Sequence, residues 1–381
     1  MDLDVLVIGG GLQGLLALDR LSSEGFSCAL LTASDLGAGQ TLHSHGVLNT
    51  GFGMGGPEPV RILRQVVLPE LARRGVRTYG EWGVIAPAPA PPGGELMPAP
   101  AGVELRGGAF LRLPEVNVGK REMLSALARG LDDRILRGTV ASVQCAADGS
   151  IRMVEVAPAS GSDAVVFAPG AVIVAAGTGS KALLRRLGTG ELQIKSLKHR
   201  RVHVLCVRGP SSVLPALNLV SPADLLFVAA HEHEAETTYY ATPMQFRAPH
   251  VEEVPGDASA DVDETVAQRG WDALFRIFPA LGSLPGLQFA TYAGFRQDVG
   301  DQPGVPKCER MEAVPNVIAA LPSGLLGAWP VAMRTAALVA EIVTEKRPQP
   351  TIPAVMGARV GDNQEDAGGT RWSADPPLVR R

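Results

Sequence analysis

Val5-Leu6-Val7-Ile8-Gly9-Gly10-Gly11-Leu12-Gln13-Gly14-Leu15-Leu16-Ala17-Leu18 is the stretch that decides the fold. A β-branched apolar run, a turn of glycines and the opening of an apolar helix follow one another in the order of a dinucleotide-binding strand, turn and helix. In that reading Gly9 makes the tight turn, Gly11 lets the backbone approach a pyrophosphate, and Gly14 lets helix and strand pack closely. The first N–H groups of the helix, around Leu12 and Gln13, then face the phosphates, where the helix dipole favours negative charge.

Downstream, Leu15, Leu18 and Leu21 recur at helical spacing as far as Gly25, and Cys28 to Leu31 reads as the second strand. An acidic residue at the end of such a strand grips the adenosine ribose. This chain has Thr32, Ala33, Ser34 and Asp35 there, so the grip falls to Thr32 or Asp35. Residues 37–52 (GAGQTLHSHGVLNTGF) have no core-forming period and carry His43 and His45 among glycines, hydroxyls and amides, which is the composition of a loop that wraps a ligand.

Helices are expected over Leu63–Arg73, Arg121–Leu131, Lys181–Leu187, Thr265–Phe278 and Val331–Glu345. Short strands at Ile135–Leu136, Val140–Ala146, Ile151–Ala157 and Ala164–Ala168 surround the turn signal Asp148-Gly149. Ala171–Ala176 reads as a buried parallel strand ending in Gly177 and Gly179. Between Leu192 and Pro285 the strand–helix rhythm lapses, and Val202–Val207, Leu225–Ala229 and Thr238–Ala241 read as strands of a separate sheet. The basic cluster His199, Arg200, Arg201 and His203 reads as a solvated strand edge, and His231 with His233, lacking a third distant partner, does not read as a metal site. Val317–Leu321 is a strand, followed by a Gly-rich turn into the last helix. The Pro/Ala-rich stretch 86–102 reads as an exposed loop, and residues 353–381 as a disordered tail.

The 381 residues suggest about two domains. A hydrophobic fraction of 46% with net charge −4 gives no electrostatic footprint for nucleic acid. The four cysteines are far apart in sequence, as in a reduced cytoplasmic protein. No apolar run reaches transmembrane length, and the start before Val5 leaves no room for a secretion signal.

The opening resembles the FAD-dependent amino-acid and hydroxy-acid oxidoreductases of the D-amino-acid oxidase/glycerol-3-phosphate dehydrogenase superfamily. The loop is similar to the stretch Q-T-x-H-N-S-G-V-I-H-x-G of L-2-hydroxyglutarate dehydrogenases and oxidases: Gln40, Thr41, His43, Gly46, Val47 and Gly51 match it, while Ser44, His45 and Asn49 depart from it. The resemblance implies an α/β chain with a Rossmann-type, glutathione-reductase-like FAD-binding domain over 1–55, 115–190 and 290–347. A second, α+β substrate domain on a mixed or antiparallel sheet would take 56–114 and 191–289. FAD would be held by Gly9, Gly11, Leu12, Gln13, Gly14, Thr32, Ala33, Gln40, Thr41, Ser44, Gly46 and Val47, by the backbone of Val140, and by Ala176, Gly177, Gly294, Gly324, Leu325, Leu326 and Gly327.

The same resemblance brings Arg296, in Gly294-Phe295-Arg296, to a substrate carboxylate, for which a planar, permanently charged fork is suited. The implied reaction is hydride transfer from the α-carbon of a small 2-hydroxy acid or amino acid to flavin N5, with His43 or His45 as general base and O2 or a quinone as electron acceptor. Three other readings use the same glycines: a flavin-dependent amine oxidase or hydroxylase, an NAD(P)-dependent dehydrogenase, and a catalytically degenerate FAD-binding protein.

Overall fold

Parallel strands buried on both faces read as near-continuous apolar runs, and the strands at Asp2–Ile8, Cys28–Thr32 and Val317–Leu321 supply them apart from Asp2, Asp4 and Thr32. In the computed structural model, which describes residues 1–52, 56–86, 95–105, 108–190, 194, 196–244, 250–251, 254, 259–299, 306–351, 359–361 and 372–374, these strands form one sheet. Asp2–Ile8 is central, with Cys28–Thr32 and then Ile135–Cys145 on one side and Val165–Val174 and then Val317–Leu321 on the other, all parallel. Lys307–Arg310 closes one edge antiparallel, and Ile151–Pro158 joins Ile135–Cys145 to Val165–Val174 as the antiparallel meander read around Asp148-Gly149. One face of this sheet is covered by helices Leu12–Ser23, Lys120–Ala128 and Ala328–Ile342 through Leu15, Leu18, Leu127 and Val339.

The second sheet is nine-stranded and mixed, running Ser259–Ala260, Gln288–Val299, Leu197–Pro210, Glu236–Pro243, Leu226–His233, Leu219–Ser221, Trp82–Ala86 and Ala109–Leu113, with His250–Val251 beside Leu197–Pro210. Its pairs are antiparallel except Leu219–Ser221 with Trp82–Ala86. Alternation sorts its side chains. Leu205, Val207, Tyr239 and Ala241 lie under helix Glu264–Ile277, whose cap Asp263 accepts the Thr265 and Val266 N–H groups. Val204, Cys206, Tyr240 and Tyr292 lie on the other face, from which Tyr292 reaches the histidine loop of the first sheet. A small third sheet, Val47–Leu48, Val116–Val118 and Thr78–Tyr79, sits beside that loop.

Several boundaries differ from the sequence reading. The strands expected at 164–168 and 171–176 are one strand, Val165–Val174, and 202–207 extends to Leu197–Pro210, because pairing along Gln288–Val299 continues past the apolar segment. The expected domain boundary at residue 290 falls inside a strand of the second sheet, and Leu63, Val67 and Leu71, expected with the second domain, are buried in the first core. The last helix begins at Ala328, which puts Pro330 two residues inside it. The 199–203 segment is no solvated edge: it is flanked on both sides, His199 and His203 are buried, and Arg200 is paired with Asp298.

Of the expected tail 353–381 the described residues are 359–361 and 372–374, and they and Arg347 ahead of them make contacts with the rest of the chain. Arg347 donates its backbone N–H to the Asp4 carboxylate at 2.9 Å, Leu36 exchanges backbone hydrogen bonds with the 359–361 segment, and Phe289 does the same with Ser373. Trp372 packs against the Val204–Tyr292 cluster beneath the Arg208 guanidinium, 4.2 Å from the ring centre. Residues 87–94 of the expected Pro/Ala loop lie outside the described residues; 95–97 run beside Ala109–Leu113, with Met97 N–H on Phe110 O at 2.8 Å. Among the described residues no helix is long and apolar enough to cross a membrane.

Candidate active site and cofactor cradle

The glycine turn is a close-packed joint. A Cβ at Gly9, where φ is +128°, would lie 2.2 Å from the Ala175 carbonyl, and one at Gly14 would lie 1.8 Å from Gly9 O, so strand ends and helix meet only if both are glycine. Gly11 is the N-cap of helix Leu12–Ser23 and offers no side-chain acceptor. Thr41 takes that part from the loop, accepting the Leu12 N–H on Oγ1 at 3.1 Å. The intrahelical ladder begins only with Leu15 N–H on Gly11 O, which leaves the Gln13 and Gly14 N–H groups in the first turn ahead of it.

Gln40 lies against Gly177, within 2.8 Å of where its Cβ would be, so the N-terminal glycines, Gln40-Thr41 and the Ala176-Gly177 turn surround one point. The Gln13 carboxamide and the Ser180 hydroxyl, at the starts of the two helices there, are buried with no partner among the described residues. A buried amide left unpaired is costly, and a polar group entering this gap would relieve it. Gly324, at φ +88° before the last helix, has open space around its Cβ direction. Two orphaned polar groups, a helix start whose Gln13 and Gly14 N–H groups precede the ladder, and an open glycine turn fit the phosphates and polar rim of a dinucleotide.

Other expected cofactor residues stand differently. Thr32 is buried and donates its hydroxyl to Ser34 O at 2.9 Å, Ala33 is exposed, and Asp35 pairs with Arg137 at 3.0 Å. Val140 borders a β-bulge of the meander. Val47 is buried in an apolar cluster with Trp82, leaving its backbone to the loop, and Gly46 carries Val118 N–H on its carbonyl. Gly294 is buried in its strand between Tyr292 and Arg296, and Leu325 and Leu326 are buried in the first core.

His43 and His45 have different surroundings. His43 bonds Gly39 O through Nδ1 at 2.7 Å; a carbonyl only accepts, so Nδ1 carries a proton, the neutral ring keeps its lone pair on Nε2, and Nε2 is buried with no partner among the described residues. His45 Nε2 is 2.5 Å from Thr242 Oγ1, whose own hydrogen goes to His203 O at 3.0 Å, so His45 donates through Nε2. Burial first, then the charge of Lys120, with smaller effects of His231 and Arg296, pushes His45 down to about 3. His231 Nε2 donates to His45 O at 2.6 Å, and its Nδ1 accepts from Tyr79 at 2.6 Å; burial, then Lys120, holds it down to about 4. Both rings are neutral near pH 7. Lys120 is buried and donates to Leu42 O and Ser44 O at 2.8 and 2.7 Å, so one cation both pins the loop and keeps these rings uncharged.

The strand Gln288–Val299 ties the loop to the last glycine turn. Tyr292 donates to His43 O at 3.1 Å, and Arg296, on the same face, donates from Nη2 to Ser323 Oγ at 3.2 Å. Burial pushes Arg296 down, Asp298 opposes that shift, and Arg200 adds to it. Arg296 Nε sits 3.2 Å from Asp298 Oδ1, while the Arg296 side chain stays 38% exposed.

The sequence reading brought together the glycine turn, Gln40, Thr41, Gly177, His43, Arg296 and the Gly324 turn, which the structure gathers in one region. It missed Tyr292, Thr242, Lys120, Asp298 and the part His231 plays. Alternation within the strand expected at Thr238–Ala241 could have put Thr242 on Tyr240's face, but nothing local marks Lys120, whose partners are 76 and 78 residues away. Among the described residues no cluster of three or more His, Cys, Asp or Glu could hold a metal.

The model of the family described as DAO, FAD-dependent oxidoreductase, matches residues 4–338. An FAD-dependent oxidoreductase from Pseudomonas aeruginosa superposes with TM-score 0.72 at 20% identity, covering 95% of this chain and 97% of its own. L-amino acid deaminase from Proteus myxofaciens, solved with anthranilate, gives 0.67 at 14% identity, covering 93% and 92%. Glycerol-3-phosphate dehydrogenase from Bacillus halodurans, solved with FAD, gives 0.64 at 17%, covering 92% of this chain and 66% of its own. No curated protein sequence matches the chain. With a family model spanning residues 4–338 and a glycine cradle suited to the cofactor, the chain belongs to the DAO family of FAD-dependent oxidoreductases.

Proposed function

We propose that the protein oxidises the α-carbon of a small carboxylate, either a 2-hydroxy acid or an amino acid. The observation that carries this reading is the strand Gln288–Val299, which holds Tyr292 against the histidine loop and Arg296 against the Gly324 turn from one face. A carboxylate on Arg296 would then lie on the side of the sheet where His43 presents an unpartnered imidazole nitrogen.

FAD, when bound, supplies the hydride acceptor. In the proposal the Gly9–Gly14 turn and the Gln13 amide would hold its pyrophosphate, and Gly177 and the Gly324–Gly327 turn would hold its polar rim. Thr32 and Val140 stand toward the adenosine end; the Thr32 hydroxyl proton is committed to Ser34, so it can offer a ribose hydroxyl only a lone pair. The expected two-domain division, with the strand Gln288–Val299 assigned to the substrate side, is part of the same proposal.

Arg296 holds the carboxylate with Nη1 and the remaining Nη2 proton, since Asp298 occupies Nε. His43 Nε2 accepts the proton released from the hydroxyl or amino group. His45 does not suit that task, because a ring held at about 3 is a weak base near neutral pH; it keeps the loop on Thr242 without adding charge. The loop match to L-2-hydroxyglutarate enzymes favours a hydroxy acid, and the similarity to an L-amino acid deaminase favours an amino acid. O2 or a quinone reoxidises the protein in this reading, and the wide cysteine spacing supports a cytoplasmic setting.

The test is anaerobic mixing of the FAD-loaded protein with panels of 2-hydroxy acids, amino acids and simple amines. Bleaching of the flavin band by a carboxylate substrate, lost in His43→Ala with cofactor retained, supports the reading. Bleaching by amines alone, or no bleaching at all, sinks it; readmitting air or a quinone then identifies the acceptor.

A further inference from the structure

The loop that begins at Gln40 ends in a strained residue. Phe52 has φ +51° without being glycine, a conformation that bulky L-residues avoid. It is held there by Glu115, whose buried side chain accepts on one oxygen, Oε1, from Thr50 N–H at 3.1 Å, Thr50 Oγ1 at 2.7 Å and Phe52 N–H at 2.9 Å. Asn49 adds a bond to Gly51 N–H at 2.6 Å. Three donors on one buried carboxylate oxygen over-determine the turn, and strain maintained in this way calls for a use for the ring.

That ring centre lies 5.3 Å from Phe227 and 5.6 Å from Trp82, and Phe227 in turn stands edge-on to His45 at 4.6 Å. Phe227 is the cross-strand partner of Thr242, to which His45 is bonded, so it shares the site face. Trp82 and Val220 form the buried floor, whereas Phe52, Phe227 and Met244 are only half-buried. The wall next to the histidine loop is therefore aromatic and aliphatic, uncharged, and partly open.

Resting on the oxidoreductase reading above, we propose that the substrate carries a bulky apolar α-substituent, aryl or branched alkyl, and that Phe52 is the residue that selects it. A polar or charged substituent against this wall would lose its hydration without a partner, while an apolar one gains by burial and by edge contacts with the rings. Arg296 takes the carboxylate common to all candidates; discrimination falls to the wall.

Calorimetric titration of the FAD-loaded protein with three unreactive carboxylates, acetate, succinate and phenylacetate, tests this without turnover. Phenylacetate is expected to bind ~10-fold or more tighter than the other two, the effect of burying one ring. Phe52→Gly should cut phenylacetate affinity ~10-fold while leaving acetate unchanged. Phe52→Leu, which keeps apolar bulk, should retain most of the preference.

Equal binding of all three probes, tighter succinate, or an unchanged phenylacetate preference in folded Phe52→Gly overturns the inference while leaving the carboxylate reading intact, provided acetate binding is still lost in Arg296→Ala. If no probe binds, or binding ignores Arg296→Ala, the carboxylate reading itself fails and takes the inference with it.

Discussion

Arg200 and Arg296 stand directly opposite each other on neighbouring strands, and both are held by Asp298, whose side chain is 1% exposed. Like charges in that position repel, so the shared carboxylate both pays for the pair and aims it, fixing Arg296 through Nε and leaving its outer edge for a ligand. Asp298→Asn should raise KM for the carboxylate substrate ~10-fold with a smaller change in kcat, and lower stability by ~3 kcal/mol. Steady-state kinetics and denaturant melts read the two effects separately.

Arg296→Lys replaces a fork with a point charge on a different reach. The expected loss is ~10- to 100-fold in kcat/KM, in line with the ~1.5–3 kcal/mol of a hydrogen bond to a charged group. Flavin content, read from the visible spectrum, should not change, because Arg296 is assigned to substrate.

His45 and His231 are neutral in the fold but take up protons near 6.5 once unfolded. Their folded values are depressed, to about 3 and about 4, so the unfolded chain binds more protons between those values and 6.5. Stability from this source is complete above about 6.5 and is lost as pH falls, by at most ~1.4 kcal/mol per pH unit for each ring. Melting temperature should therefore decline below pH 6.5, and His231→Gln should flatten the decline. A melting curve insensitive to pH between 6.5 and 4 contradicts the assignment.

Gly14→Ala would put a methyl group 1.8 Å from Gly9 O. The joint must open, and the variant should emerge colourless or aggregated, with bound flavin assayed after precipitation. Gly39→Ala, where nothing lies within 4 Å, is the matched control and should stay yellow.

Trp372→Ala removes a ring stacked under Arg208 and packed on Tyr240 and Tyr292. The expected cost is ~1–2 kcal/mol of stability, measured by denaturant unfolding. No change would mean that the tail contact at Phe289 carries no weight in solution.

The first sheet was legible because its grammar is local. Apolar strand, glycine turn and helix occupy consecutive residues, and Gly9 and Gly14 are enforced by atoms a few positions away or on the next strand. The second sheet was legible as a separate sheet with strands near 202–207, 225–229 and 238–241, but its full pairing was not, because strands such as Leu197–Pro210 and Gln288–Val299 pair far along the chain, and sequence alternation names a face without naming its neighbour. His43 and His45, two residues apart, show the same limit. Composition flagged both, but only Lys120, Thr242 and Gly39 decide that one ring offers a lone pair while the other is held neutral on a hydroxyl. The charge run at 199–203 misled for the converse reason: Asp298, which makes Arg200 tolerable in the interior, is 98 residues away.

The arrangement of the central sheet also sets an order in time. The glycine turn is made before its floor strand Val165–Val174, the Arg296–Ser323 link and the helix Ala328–Ile342 packed on Leu12–Ser23, and the contacts of Arg347 with Asp4 and of the 359–361 segment with Leu36 follow later still. A growing chain therefore makes the glycine turn before any of the later elements that complete the joint around it.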